Sequence, residues 1–191
     1  DPLTRGVAYG AAQHVLDSKF TLLKLPVGYG KTVISMQVAQ AIANLNGKHL
    51  QIMVIAPKAK RLDQSFHEAI MSTRKYFHAD LQILPINGEE IGTFAGLNTM
   101  ATQKPKMWKM FLQALYDQPT LLILDETHMN IRNATGVSSR TLRKVRRQVE
   151  KHHGFLRILG LTATPFDRGI IDSVGYLVLN GNYNSRTAFY N

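Results

Sequence analysis

Two glycines, a lysine and a threonine lie close together in the segment LPVGYGKT, which begins at Leu25. Because Gly28 and Gly30 flank one residue, the backbone can curl so that successive N–H groups point inward, and the start of a following helix adds its positive dipole end. Such a nest binds phosphate, with Lys31 reaching the β- and γ-phosphates of a nucleotide and the Thr32 hydroxyl ligating Mg²⁺. The alternative is a plain glycine-containing turn, since the general P-loop pattern has a further glycine where this chain has Leu25.

Acidic and hydroxyl side chains follow two other apolar runs. Asp125 and Glu126 come directly after LLIL, and Thr162 and Thr164 come after FLRILGL. An acidic residue at the end of a buried strand can hold Mg²⁺ through water, and the next carboxylate can orient the water that attacks ATP. Taken alone, the acidic pair could equally be a solvated strand end. Its combination with the glycine loop and the threonine turn is much more specific and predicts a nucleotide site.

All three segments stand where an apolar run ends, which predicts the elements that position them. Strands are predicted at 20–25, 50–56, 81–86, 121–124 and 155–161, and helices at 2–17, 34–45, 62–77, 104–116 and 138–151. Pro85 indicates that the third strand ends early or lies at a sheet edge, and residues 88–103 predict a short strand followed by a helix start. This alternation predicts a mainly parallel α/β sheet with helices on both faces and phosphate chemistry at the carboxyl ends of its strands.

The composition is that of one globular domain. With 191 residues, 45% apolar and 19% charged, the chain can bury a core of its own, and we expect residues 1–191 to form a single domain. Apolar runs stay well short of 18 residues, no signal-peptide pattern opens the chain and there is no cysteine, so we expect a protein of the cytoplasm, nucleoid or nucleus without a membrane partner. Since the numbering opens at Asp1 without an initiator Met, we interpret the chain as a piece of something longer.

The positive charge is large and uneven. The chain carries 23 Lys and Arg against 13 Asp and Glu, a net charge of +10, which attracts polyanions whatever the fold. Nucleic acid is therefore the first partner to consider, with a generic basic surface as the alternative. The densest group of basic residues is Arg140, Arg143, Lys144, Arg146, Arg147 and Lys151.

Taken together, these segments resemble the motifs of the first motor domain of superfamily 2 helicases and nucleic-acid translocases. LPVGYGKT resembles motif I, and LTATP, which begins at Leu161, resembles motif III. DETH, from Asp125 to His128, resembles motif II of the Asp-Glu-x-His branch, with Thr127 in place of the usual Ala. Gln13 stands where the family has an adenine-reading glutamine.

Weaker resemblances lie between these motifs. VIAPKAKRLDQSF, which contains Lys58, is similar to motif Ia, and TFAGL, which begins at Thr93, is similar to motif Ib. Within the superfamily, the Arg132-Asn133 step and the later serines resemble the Swi/Snf-like double-stranded DNA translocases, as do Asp172, Leu177, Gly181 and Phe189. LTATP is more typical of restriction-enzyme motors.

The resemblance implies a RecA-like P-loop NTPase fold that clamps ATP against a second lobe, which carries arginine fingers and is absent from this chain. It implies catalytic roles for Lys31, Asp125 and Glu126, and Mg²⁺ ligation by Thr32 and Asp125. Nucleotide contacts are expected from Gln13, Val27, Gly28, Tyr29, Gly30, Lys31 and Thr32. Coupling to the second lobe is expected from His128, Thr162 and Thr164. Nucleic-acid contacts, most naturally with double-stranded DNA, are expected from Lys58, Thr93, Arg146 and Arg147, although a solvated face is equally open for the two arginines.

The leading hypothesis is therefore an ATP-dependent nucleic-acid motor whose isolated lobe hydrolyses ATP slowly or not at all. Two alternatives come from other classes: a P-loop kinase, and a nucleic-acid-binding module that keeps the fold without turnover. The Thr-Ala-Thr turn and the basic charge disfavour a kinase. The intact Lys31, Asp125 and Glu126 disfavour a decayed site.

Overall fold

A single sheet of parallel strands forms the centre of the computed structural model, which describes residues 2–45, 47, 49–59, 64–77, 80–131, 134–164 and 173–182. In these ranges the sheet has the order β1-β6-β5-β2-β3, and β4 also pairs with β2. Within the described residues, every pairing between these strands is parallel. The strands are β1 (Phe20–Lys24), β2 (His49–Ile55), β3 (Asp80–Ile83), β4 (Ile91–Gly92), β5 (Thr120–Leu124) and β6 (Leu156–Thr162).

Helices cover both faces of this sheet. One face carries α1 (Pro2–Asp17), α2 (Lys31–Leu45) and α3 (Ser65–Phe77), and the other carries α4 (Phe94–Gln103), α5 (Pro105–Asp117), α6 (Val137–Lys151) and α7 (Ser173–Asn180). Side chains alternate along β5, so that Leu121 and Ile123 join the first core, whereas Leu122 and Leu124 join the second. The predicted α/β architecture is confirmed.

Strand position explains the sequence patterns. β5 is buried at all five residues and β2 at all but its first, which is why both appear as continuous apolar runs. β3 lies at the edge and ends at Ile83, before Pro85, as the proline indicated. The short strand and helix predicted between 88 and 103 are β4 and α4.

Some predicted features lie outside the described residues. These include Leu62 at the predicted start of the third helix, as well as Lys60, Arg61, Arg132, Asn133, Pro165, Asp172 and Phe189. In the part of the chain that is described, no helix is long and apolar enough to cross a membrane.

We predict that Leu122→Ala lowers the free energy of unfolding by about 2–5 kcal/mol, because it removes a fully buried side chain from the central strand and leaves a cavity. Met110→Ala, which truncates an exposed side chain of α5, should change it by less than about 0.5 kcal/mol. Urea unfolding followed by circular dichroism measures both. Equal costs for the two variants would contradict the described core.

Candidate nucleotide-binding site

The carboxyl ends of all the strands lie along one edge of the sheet. Register pairs Lys24 of β1 with Thr162 of β6, and Leu124 of β5 with Gly160 of β6. Ile55 of β2 pairs with Leu124 on one side and with β4 on the other. The segments that follow these strands therefore stand in a row along this edge, which we call the strand-end edge. In spatial order they are the glycine loop, the threonine turn, the acidic pair, Lys58 and Thr93.

The glycine loop has the backbone that a phosphate nest needs. Gly28 and Gly30 have φ values of +79° and +71°, which disfavour any residue with a Cβ, and the space beside both is open. The Leu25 N–H donates to the carbonyl of Thr162 (3.1 Å), which ties the loop to β6. Val27 and Tyr29 are 85% and 65% exposed, so burial of these two side chains does not hold the loop. Its shape comes from the glycines.

Lys31 is the first residue of α2 and is only 8% exposed. Among the described residues no carboxylate forms an ion pair with it. The start of the helix adds a further positive partial charge. An anion bound at the loop would complement both charges, so the residues present fit a nucleotide phosphate.

Asp125 and Glu126 leave β5 in different environments. Asp125 is 1% exposed, and its N–H donates to the Ile55 carbonyl (2.8 Å). Glu126 adopts a left-handed conformation (φ 46°, ψ 49°), which is uncommon for a residue with a Cβ and clusters at functional sites. Its side chain is one quarter exposed. The Asp125 carboxylate and the Thr32 hydroxyl are the hard oxygen donors that Mg²⁺ prefers, so the donor set fits this ion.

His128 and the two threonines of the turn form a hydrogen-bonded link between the ends of β5 and β6. The Nδ1 atom of His128 lies 2.9 Å from Oγ1 of Thr162 and 3.4 Å from Oε2 of Glu126. The Thr164 N–H donates to the same Thr162 oxygen (3.1 Å). Glu126 thus lies beside the histidine that is bonded to the threonine turn. Their coupling role stays a prediction.

Thr127 also links these strands, and no sequence signal gave it a role. Its buried hydroxyl lies 2.9 Å from the Leu124 carbonyl and 3.2 Å from the Leu161 carbonyl, and can donate to either. Gly160 makes room for it, because a Cβ built there would lie 2.8 Å from Thr127 Oγ1. The one sequence feature that distinguished this position was the Thr that replaces the usual Ala in DETH.

Gln13, Lys58 and Thr93, which the sequence predicts to contact adenine or nucleic acid, lie on three different elements or segments. Gln13 is exposed on α1, and Lys58 is exposed three residues beyond β2. Thr93 caps α4, its Oγ1 accepting from the Gly96 N–H (3.0 Å). The roles of these residues in adenine and nucleic-acid binding stay predictions.

The predicted nucleic-acid contact of Arg146 requires a correction. It is 7% exposed, and its Nη1 lies 3.4 Å from Glu150 Oε1 on the same helix, so its guanidinium is not available to nucleic acid. Burial lowers the pKa of Arg146, whereas the neighbouring Glu150 opposes this shift. Arg147, the next residue, is exposed.

Comparison with known proteins identifies the family. A family model described as type III restriction enzyme, res subunit, matches residues 10–167. The chain belongs to the ResIII family. The domain of this family is the first RecA-like lobe of superfamily 2 helicases, so the predicted family and fold are confirmed. No curated protein matches the sequence.

Solved structures share the fold at low sequence identity. The SWI2/SNF2 ATPase core of Sulfolobus solfataricus in complex with dsDNA matches with a TM-score of 0.56 and 13% identity, over 94% of this chain and 35% of that one. The helicase MrfA bound to DNA matches with a TM-score of 0.61 and 14% identity, over 91% and 24%. The UvsW helicase of bacteriophage T4 matches with a TM-score of 0.50 and 16% identity, over 87% and 55%. The chain thus spans about a third of the SWI2/SNF2 core.

We predict that Gly160→Ala costs about 1–3 kcal/mol of stability, because the new Cβ would overlap Thr127 Oγ1. Combined with Thr127→Ala, it should cost less than the sum of the single changes, with a coupling of about 0.5–3 kcal/mol. Gly10→Ala is the control, since open space surrounds that position in α1 and alanine favours the helix. Urea unfolding measures all four variants. Strict additivity of the pair would show that Gly160 and Thr127 do not compete for space.

Proposed function

We propose that this chain is the nucleotide-binding lobe of an ATP-dependent motor that moves along or unwinds double-stranded DNA. The observation that carries the proposal is the row of polar groups at the strand-end edge, with a buried lysine at the glycine loop and a buried aspartate two strands away. A strand-end site of this kind is where α/β sheets bind nucleotides. That the chain is a helicase-family ATPase domain follows from its family.

Each residue of the site has a distinct proposed task. The loop N–H groups and Lys31 hold the β- and γ-phosphates of ATP, while Thr32 and Asp125 hold Mg²⁺, which screens the phosphate charge when bound. Glu126 orients the water that attacks the γ-phosphate. Gln13 reads the adenine.

The link from Glu126 through His128 to Thr162 is the proposed route by which the nucleotide state reaches the rest of the protein. The Nδ1 atom of His128 lies near one oxygen of Glu126 and one of Thr162. It carries at most one hydrogen, so it can donate to only one of these oxygens at a time. Loss of the γ-phosphate would alter the environment of Glu126 and so favour one arrangement over the other. Thr162 and Thr164, which belong to the threonine turn, would pass this change to the second lobe.

Completion of the site requires the second RecA-like lobe. An arginine finger is typically worth about 10³–10⁵ in rate, and the family resemblance places it on that lobe. The isolated chain should therefore bind Mg·ATP but turn it over very slowly. The same requirement explains how DNA could control hydrolysis, by bringing the two lobes together.

The proposed DNA path lies at the far end of the strand-end edge. Lys58 and Thr93 follow β2 and β4, on the side of Asp125 away from the glycine loop. The net charge of +10 supports a polyanionic partner. Two structures of the same fold, the SWI2/SNF2 core and MrfA, are described as bound to DNA. As for the subgroup, the matched family and the LTATP segment favour a restriction-enzyme type of motor over the Swi/Snf-like one.

We predict that Lys31→Ala lowers the affinity of the chain for Mg·ATP by about 10- to 100-fold, because hydrogen bonds to charged groups are worth about 1.5–3 kcal/mol. Glu126→Gln should leave this affinity close to that of the parent, since it spares the phosphate nest. Lys106→Ala, at an exposed lysine of α5, is the control for loss of one positive charge. Isothermal titration calorimetry measures binding without turnover.

The hydrolysis step is tested in a longer protein that includes the second lobe. There Glu126→Gln should nearly abolish ATP hydrolysis while retaining nucleotide. Unchanged ATP affinity in Lys31→Ala would refute the proposed site. Unchanged hydrolysis in Glu126→Gln would leave a nucleotide site but remove the role given to this carboxylate.

A further inference from the structure

The exposed side of α6 carries a concave group of basic side chains that the nucleotide site does not use. Arg140, Arg143, Lys144, Arg147 and Gln148 line a cavity of about 340 Å³, which we call the α6 groove. Three of the five are arginines. None of the residues assigned to ATP or Mg²⁺ lies among them.

The positive charge of the α6 groove is not neutralised from within the part of the chain described. No carboxylate there forms an ion pair with its four basic residues. Arg146, on the buried side of the same helix, has Glu150 as a partner. The pKa of the Arg143 guanidinium is lowered, first by burial and then by the positive charges of Arg147, Arg140 and Arg146. The groove therefore concentrates like charges that a bound polyanion would stabilise.

Two of these side chains are held in place by the protein. Arg143 Nη2 donates to the carbonyl of Ala134 (3.0 Å). Lys144 Nζ lies over the ring of Trp108 of α5, 5.5 Å from its centre, in a cation–π contact. Such restraint lowers the entropy lost when a ligand binds. Arg140 and Arg147 are the first and last of the arginines that line the groove.

The spacing suits a chain of phosphates. Arg140 and Arg147 are seven residues apart on one helix, a rise of about 10 Å, whereas each DNA strand carries a phosphate about every 3.4 Å of helix axis. The planar guanidinium also matches phosphate oxygens in a bidentate manner. The groove can thus contact more than one phosphate of the same strand.

The lining disfavours a protein partner. All five lining residues are polar, and Trp108, the aromatic ring beneath Lys144, is buried. Protein interfaces depend on exposed apolar or aromatic anchors at their centre, whereas contacts to a nucleic-acid backbone are polar and positively charged. An acidic protein surface is therefore the less favoured ligand.

The start of α6, the helix that carries the groove, contacts the helix that begins at the proposed DNA path. α6 begins after the segment that leaves β5, and its Ser138 hydroxyl accepts from Asn98 Nδ2 of α4 (3.3 Å). α4 is the helix capped by Thr93, at the strand-end edge. A duplex that crosses Lys58 and Thr93 has the start of α6 beside it.

We propose that the α6 groove is a second contact for the phosphate backbone of double-stranded DNA, extending the binding surface from the strand-end edge onto the helical face. This rests on the proposed function, because it assumes that the lobe acts on DNA. The groove contributes affinity without reading sequence. It makes no contact with ATP.

The test measures binding of the 191-residue chain to a fluorescein-labelled duplex of about 20 base pairs by anisotropy, over a range of NaCl concentrations. Arg140→Gln/Arg147→Gln should lower affinity roughly tenfold at moderate salt and reduce the log–log salt slope by about two, one for each phosphate that the protein no longer neutralises. Lys106→Gln/Lys109→Gln removes the same charge from exposed positions of α5 outside the groove, and should leave the slope close to that of the parent. Lys58→Gln reports on the strand-end edge. Thermal melting and Mg·ATP affinity confirm that each variant is folded.

The outcomes separate this inference from the proposed function. If the groove variant and the α5 control bind alike while Lys58→Gln weakens binding, the inference is wrong and the DNA path at the strand-end edge stands. If the parent does not bind the duplex but binds polyglutamate through the groove, the groove serves an acidic protein and the inference is overturned. If neither Lys58 nor the groove affects duplex binding, the DNA part of the proposed function fails as well, whatever the result with Mg·ATP.

Discussion

The parallel pairing of β5 between β2 and β6 is the constraint on which the rest of the structure depends. Parallel strands place their carboxyl ends at one edge, and this pairing sets the acidic pair beside the threonine turn and only one strand from Lys58. The hydroxyl of Thr127 and the absence of a Cβ at Gly160 reinforce the contact between β5 and β6 where the chain leaves the sheet. A slip in this register would separate His128 from Thr162.

The same arrangement separates the two proposed roles of the lobe along the strand-end edge. Nucleotide chemistry is assigned to the loops after β1, β6 and β5, and nucleic acid to the segments after β2 and β4. The two regions meet at the pairing of β5 with β2, and both strands are buried on both faces. The proposed coupling would run along this edge through His128, whose Nδ1 lies near both Glu126 and Thr162. Lys31, at the other end of that edge, is the residue proposed to hold the phosphates, and its side chain is largely enclosed.

Much of the fold could be predicted because burial on both faces leaves a plain record in the sequence. β2 and β5 are continuous apolar runs, and the strand-end position of DETH follows from the LLIL that precedes it. Contacts that depend on pairing between distant strands left no such record: the bond from Thr127 to the Leu161 carbonyl is invisible until β5 and β6 are side by side. The prediction for Arg146 is a different case, since the helical period alone would have placed this residue on the buried side of α6. It lies four residues after Leu142 and three before Val149, both buried, so its side of α6 faces the core.

The most direct test of the central claim is where Mg·ATP binds on the folded chain. Backbone amide resonances of the isotopically labelled protein, followed during a titration with Mg·ATP, report on each segment separately. The account predicts the largest shifts at Gly28, Gly30, Lys31 and Thr32, smaller ones at Asp125 and Thr162, and none along the α6 groove. Unchanged resonances throughout the glycine loop, with binding detected elsewhere or not at all, would contradict it.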